Sequence, residues 1–122
     1  MQKTERLLLL QKERLAYVEA VALKDVGSAW SALEREHILA QPFFWPHLRS
    51  HSAMLCFAIH QRDIKETFGQ ILRLLLAPIG NVFGRLPHGN TGRSNVSAFA
   101  SMSLPPDLAD AMHGEIDNTR DA

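Results

Sequence analysis

The feature that most constrains this chain is a helix, Asp turn, helix, Pro pattern that occurs twice, 38 residues apart. Asp25 aligns with Asp63, Val26 with Ile64, Trp30 with Phe68 and Leu33 with Ile71. Upstream, Ala16 aligns with Met54 and Ala20 with Ala58. Pro42 closes the first unit, and Pro78, two residues off register, closes the second. An Asp ahead of an apolar-periodic run caps a helix, because its carboxylate accepts backbone N–H groups that have no intrahelical partner. The pattern predicts helices over 4–23, 26–40, 46–61 and 64–77. Pro46 suits a first helical position, and Pro78 with Gly80 stops the fourth helix. In the first helix Leu8, Leu15, Val18 and Ala22 share a face. In the second, Val26, Trp30, Leu33, His37 and Ala40 follow spacings of 4, 3, 4 and 3, one helical face. Trp30 and Phe68, equivalent in the repeat, are expected in the core.

Two such units resemble the tetratricopeptide type of helical hairpin, with a slightly long period. The expected fold is all-α: a tetratricopeptide-like pair of hairpins over 1–78, and an extended Gly-rich C-terminal segment over 79–113 packed on the helices. Residues 114–122 are expected to form a disordered tail. Helical repeats need about three units or a cap, and the Gly-rich segment is the available cover. Val96, Phe99, Met102 and Leu104 are its apolar anchors, while Asn90, Thr91, Ser94 and Asn95 can bond to nearby backbone. Pro105 to Leu108 opens a short final helix reaching about Met112.

Composition removes several function classes. Thirteen Lys and Arg balance thirteen Asp and Glu, so the chain lacks the basic footprint of a nucleic-acid binder. One cysteine, Cys56, excludes an internal disulfide framework and fits a reducing compartment. The apolar runs Leu7–Leu10 and Leu74–Ile79 are too short for a signal peptide or a membrane span. A soluble, cytoplasmic protein without membrane or nucleic-acid partners is expected. Gly89-Asn90-Thr91-Gly92 lacks Walker spacing, and no GxSxG or GxGxxG occurs.

The residues with most chemical potential are Glu34, His37, His47 and His51. Glu34 and His37 lie three apart on the second helix, and His47 and His51 four apart on the third, so each pair shares a face. A short connection makes those helices antiparallel and aims both pairs at one place near the turn. Three imidazoles and a carboxylate suit zinc, iron, nickel or copper. The competing reading is a structural polar cluster, with His37 bonded to a backbone carbonyl and Glu34 facing Arg35, Arg49 or solvent. Met54 and Cys56 follow closely and are either soft ligands or core filling. His60, His88 and His113 receive no role. Phe43, Phe44 and Trp45 form either a staple closing the hairpin or an exposed patch for a partner protein or a second copy.

The segments Ala29-Trp30 with Leu33-Glu34-x-x-His37, His47-x-x-x-His51-x-x-Met54, and GRLPHGNTGRSNVSAF (84–99) resemble a bacterial family of small proteins of unknown function. The resemblance covers about Leu15 to Leu108, and the tail string is its most specific part. It implies a tetratricopeptide-like helical core with an ordered tail, and a link to heavy-metal resistance genes. It carries over Glu34, His37, His47 and His51 as motif positions; their role as ligands comes from the spacing argument above.

The expected function is transition-metal binding by this Glu/His cluster, in metal stress or homeostasis. Neutral imidazoles would ligate, so affinity is expected to fall below about pH 6. The rivals are a metal-free protein-interaction module, with Arg49, Arg62 and Arg73 recognising an acidic terminus, and an enzyme with an open metal site.

Overall fold

A computed structural model describes residues 3–83, 90–94 and 104–110. Four helices dominate them: α1 (Lys3–Ala22), α2 (Val26–Ala40), α3 (Phe44–His60) and α4 (Ile64–Phe83). Each packs on its neighbour in the chain, α1 on α2, α2 on α3 and α3 on α4. Residues 106–110 add a short helical turn. Among the described residues there is no strand, and no helix is long and apolar enough to cross a membrane.

The 38-residue repeat is visible in the two Asp turns. Lys24 and Arg62 take left-handed φ values of 57° and 58°. The Asp25 and Asp63 amides then reach back to Ala20 O at 2.9 Å and Ala58 O at 3.0 Å, closing the preceding helix. Each carboxylate caps the next helix: Asp25 Oδ1 accepts from Ser28 N at 3.1 Å and Asp63 Oδ1 from Glu66 N at 3.0 Å.

Three expectations need correction. The fourth helix does not stop at Pro78 but continues to Phe83. An interior Pro removes one ladder bond and costs about 3 kcal/mol. What holds the extension is Asn81, whose Nδ2 donates to Gln41 O at 2.9 Å and whose Oδ1 faces His47 Nδ1 at 2.6 Å. The third helix starts two residues before Pro46, after an extended Phe43. Its first bond is His47 N to Phe43 O at 2.9 Å, so Pro46 lies in the turn whose amides need no intrahelical partner. Phe68 is 67% exposed although its equivalent Trp30 is buried. α2 is sandwiched between α1 and α3, whereas α4 touches only α3 among the helices, so the same position lacks a partner in the second unit. Leu8, Leu15 and Val18 face outward for the same reason, on the other terminal helix.

The core has two parts. Ala20, Ala29, Trp30, Leu33, Met54, Phe57 and Ala58 fill the space between α1, α2 and α3, with Trp30 and Tyr17 edge-on to Phe57. Leu10, Ile38, Leu39, Ala40 and Leu108 form the second. Leu108 brings residues 104–110 onto α1 and α2, where Arg35 binds both Glu13, at 2.8 Å, and Asp107, at 2.9 Å. Phe43 and Phe44 are partly buried, with Lys3 Nζ 5.3 Å from the Phe43 ring centre, while Trp45 is exposed. Val96, Phe99, Met102, His88, His113 and the 114–122 tail lie outside the described residues.

Candidate metal centre

α2 ends and α3 begins around a three-residue connection, residues 41–43, and this turn delivers three imidazoles to one point. His37 Nε2 lies 3.2 Å from His47 Nε2 and 3.1 Å from His51 Nε2, and the last two are 3.2 Å apart. All three side chains are buried.

The opposite nitrogen of each ring is tied down. His37 Nδ1 is 2.7 Å from Asn90 O, a carbonyl that can only accept, so Nδ1 carries the proton. His47 Nδ1 faces Asn81 Oδ1; the Asn81 amide nitrogen is committed to Gln41 O, so its oxygen must accept. His51 Nδ1 is 2.8 Å from Gln70 Oε1. Gln70 Nε2 donates to Gly92 O at 2.9 Å and Glu66 Oε1 at 3.2 Å, which fixes that amide in the same sense. In the neutral state every histidine is therefore an Nδ1–H tautomer, and three Nε2 lone pairs point at one another.

Burial favours the neutral form. It drives His37 well below the usual imidazole range, with His51 and His47 adding to the effect. It lowers His47 against the opposing bond to Asn81, and it takes His51 to about 4. Three converging lone pairs at this spacing repel unless a cation lies between them. The nitrogen triangle is close to the roughly 3.3–3.4 Å edge that two nitrogens make on a tetrahedral ion with bonds of about 2.0–2.1 Å. The triangle is too small to hold an ion in its plane at that bond length. An ion would sit to one side and keep a fourth position.

Among the described residues, the group whose ligand atoms lie within 4.8 Å of one another is His37, His47 and His51. Glu34 is not in it. Its carboxylate lies 3.8 Å from Arg93 Nη1, and burial raises its pKa against the pull of Arg93. Met54 is core, Cys56 is exposed, and His60 is exposed at the far end of α3. Arg73, expected to meet a partner's acidic terminus, is instead buried and donates to Arg93 O. Ser50 Oγ, on the turn between His47 and His51, is buried with no hydrogen-bond partner.

The supporting residues come from parts of the sequence that its histidine spacing does not touch. Glu66, Gln70, Arg73 and Asn81 share one face of α4, a polar row opposite the helix's apolar face, and that row is the signal that points to them. Residues 90–94 close the site. Asn90 Oδ1 accepts from Gly92 N at 2.8 Å, making a tight turn that sends Asn90 O to His37. Gly92 has φ +84°, and a Cβ there would lie 2.6 Å from His37 Cδ2. At Gly69 a Cβ would collide with the Ser94 side chain. Glu66 receives Ser94 N at 3.1 Å, the Ser94 hydroxyl and Arg93 Nε at 3.2 Å. Burial works against its charge, yet these bonds hold its carboxyl below the usual range.

A helical hairpin stack with a closed three-histidine centre is the class this geometry defines. Over residues 5–112 the chain matches a family described as protein of unknown function, DUF3703, and it belongs to that family. No curated protein and no solved structure matches it.

Proposed function

We propose that this protein binds one transition-metal ion through His37, His47 and His51. The observation that carries the reading is the convergence of three Nε2 atoms within 3.2 Å while every Nδ1 is committed to an oxygen acceptor. Histidine ligands that donate their second nitrogen to fixed oxygens are the usual arrangement around bound metals, and such partners set both tautomer and ring orientation. Imidazole donors suit zinc, copper, nickel and iron. The fourth position is left to water or another small ligand, since the rings are nearly closed off from solvent. That closure supports retention of an ion, in metal stress or homeostasis, over turnover of a sizeable substrate. A tetratricopeptide-like stacking of the two hairpins is the scaffold we propose for it, capped by residues 90–94.

The test is elemental analysis of protein purified without an affinity tag, followed by titration with zinc, nickel and copper against a chelator of known affinity. One ion per chain is expected, with affinity reduced at least 100-fold by His37→Ala, His47→Ala or His51→Ala and unchanged by His60→Ala. Equal affinity in all four variants would reject the site.

A further inference from the structure

The polar row of α4 faces the histidines, so this helix is amphipathic the wrong way round for a free surface. Ile64, Phe68, Ile71, Leu72, Leu75, Ile79 and Val82 all point outward, with exposures from 42% at Ile71 to 72% at Ile64. Ile64, Phe68, Ile71, Leu75, Pro78 and Val82 are separated by 4, 3, 4, 3 and 4 residues, which is the spacing of a helix–helix seam. Leu72 and Ile79 flank it on one side. We infer that α4 is a homodimer interface, in which the α4 helices of two copies of this chain pack antiparallel about a two-fold axis near the level of Arg73.

Three observations favour a second copy as the occupant. The spacing reads the same in both directions, so an antiparallel copy sets Ile64 against Val82, Phe68 against Pro78 and Ile71 against Leu75, with the largest ring opposite the smallest side chain. Seven large side chains over five turns supply on the order of the 800 Å² per partner that a standard interface takes. The outward seam carries no charge and the chain's net charge is zero, so two copies meet without repulsion. Antiparallel helices also align their dipoles favourably. This surface differs from the Phe43–Trp45 corner and does not depend on a bound ion.

Sedimentation equilibrium of the full chain tests it. The wild type is expected to be dimeric at micromolar concentration. Phe68→Glu and Leu75→Glu are each expected to raise the dissociation constant at least 100-fold with unchanged far-ultraviolet circular dichroism, and Trp45→Glu to leave it within threefold. Because residue 71 faces residue 75 of the other copy, Ile71→Lys combined with Leu75→Glu is expected to recover at least tenfold of the loss. A monomeric wild type at 100 μM overturns the proposal, whether or not it adheres to phosphatidylcholine vesicles. So does a dimer that Trp45→Glu dissociates and Phe68→Glu does not.

Discussion

Gln70 holds the Nδ1 of His51 through its Oε1 at 2.8 Å, and its Nε2 is anchored to Gly92 O at 2.9 Å. One side chain thus fixes the tautomer of a candidate ligand and fastens the 90–94 segment over the site. Gln70→Leu keeps the bulk and removes both bonds. Its expected effect is a 10- to 100-fold loss of metal affinity, the usual range for an outer partner of a ligating histidine. Chelator competition measures it, and wild-type affinity in the variant would remove Gln70 from the site.

Gly92 carries two independent demands. Its φ of +84° is strained for any residue with a side chain, and the added carbon would press on the His37 ring at 2.6–2.9 Å. Gly92→Ala is therefore expected to cost about 1–3 kcal/mol and to weaken metal binding by moving His37. Gly27→Ala is the control. Its Cβ would sit 3.8 Å from Asp25 Oδ1, ordinary contact, and Ala is favoured over Gly inside a helix by up to about 1 kcal/mol. Thermal unfolding of both metal-free variants should move in opposite directions.

The helical hairpins and the meeting of His37 with His47 and His51 were legible in the sequence because both follow from local rules. An Asp cap and a spacing of three or four residues are short-range properties, and a short connection does the rest. Asn81, Asn90 and Gln70 were not legible as histidine partners, since 19 to 53 residues separate each bonded pair. Spacing alone places Glu34 in the site, because position 34 shares a face with His37. A helical face is wide, however, and Arg93 supplies a partner from far along the chain. Phe68 is exposed where its equivalent Trp30 is buried for a related reason: a repeat records how a unit folds, not which of its faces lies at the end of the stack.

The two left-handed residues at the Asp turns are not glycines. Lys24 and Arg62 each give up roughly 1–2 kcal/mol to hold φ near +57°. Both are exposed. Lys24→Gly and Arg62→Gly are each expected to raise the stability of the metal-free protein by up to about 1 kcal/mol, since glycine is the usual residue at this helix-ending position. Urea midpoints read the effect, and metal affinity should stay unchanged because both turns lie at the opposite end of the hairpins from the histidines.

Burial of the three imidazoles sets the pH response of the metal-free fold. Above pH 6.5 folded and unfolded chains both hold mostly neutral histidines. Below it the unfolded chain takes up protons at the ordinary pKa of 6.5, while His51 stays neutral until about pH 4. His37 and His47 shift the same way. The unfolded state binds more protons throughout this window, so stability falls as pH falls, and His51 alone accounts for on the order of 3 kcal/mol. The urea midpoint of metal-free protein is expected to drop steadily between pH 6.5 and 4. The same shift corrects the expectation from ordinary imidazoles that metal affinity declines below about pH 6: with nitrogens that refuse protons, affinity should hold to about pH 5. A midpoint that stays level from pH 7 to 4.5 would show that the folded cluster takes up protons as readily as the unfolded chain, and would remove the three converging lone pairs on which metal binding rests.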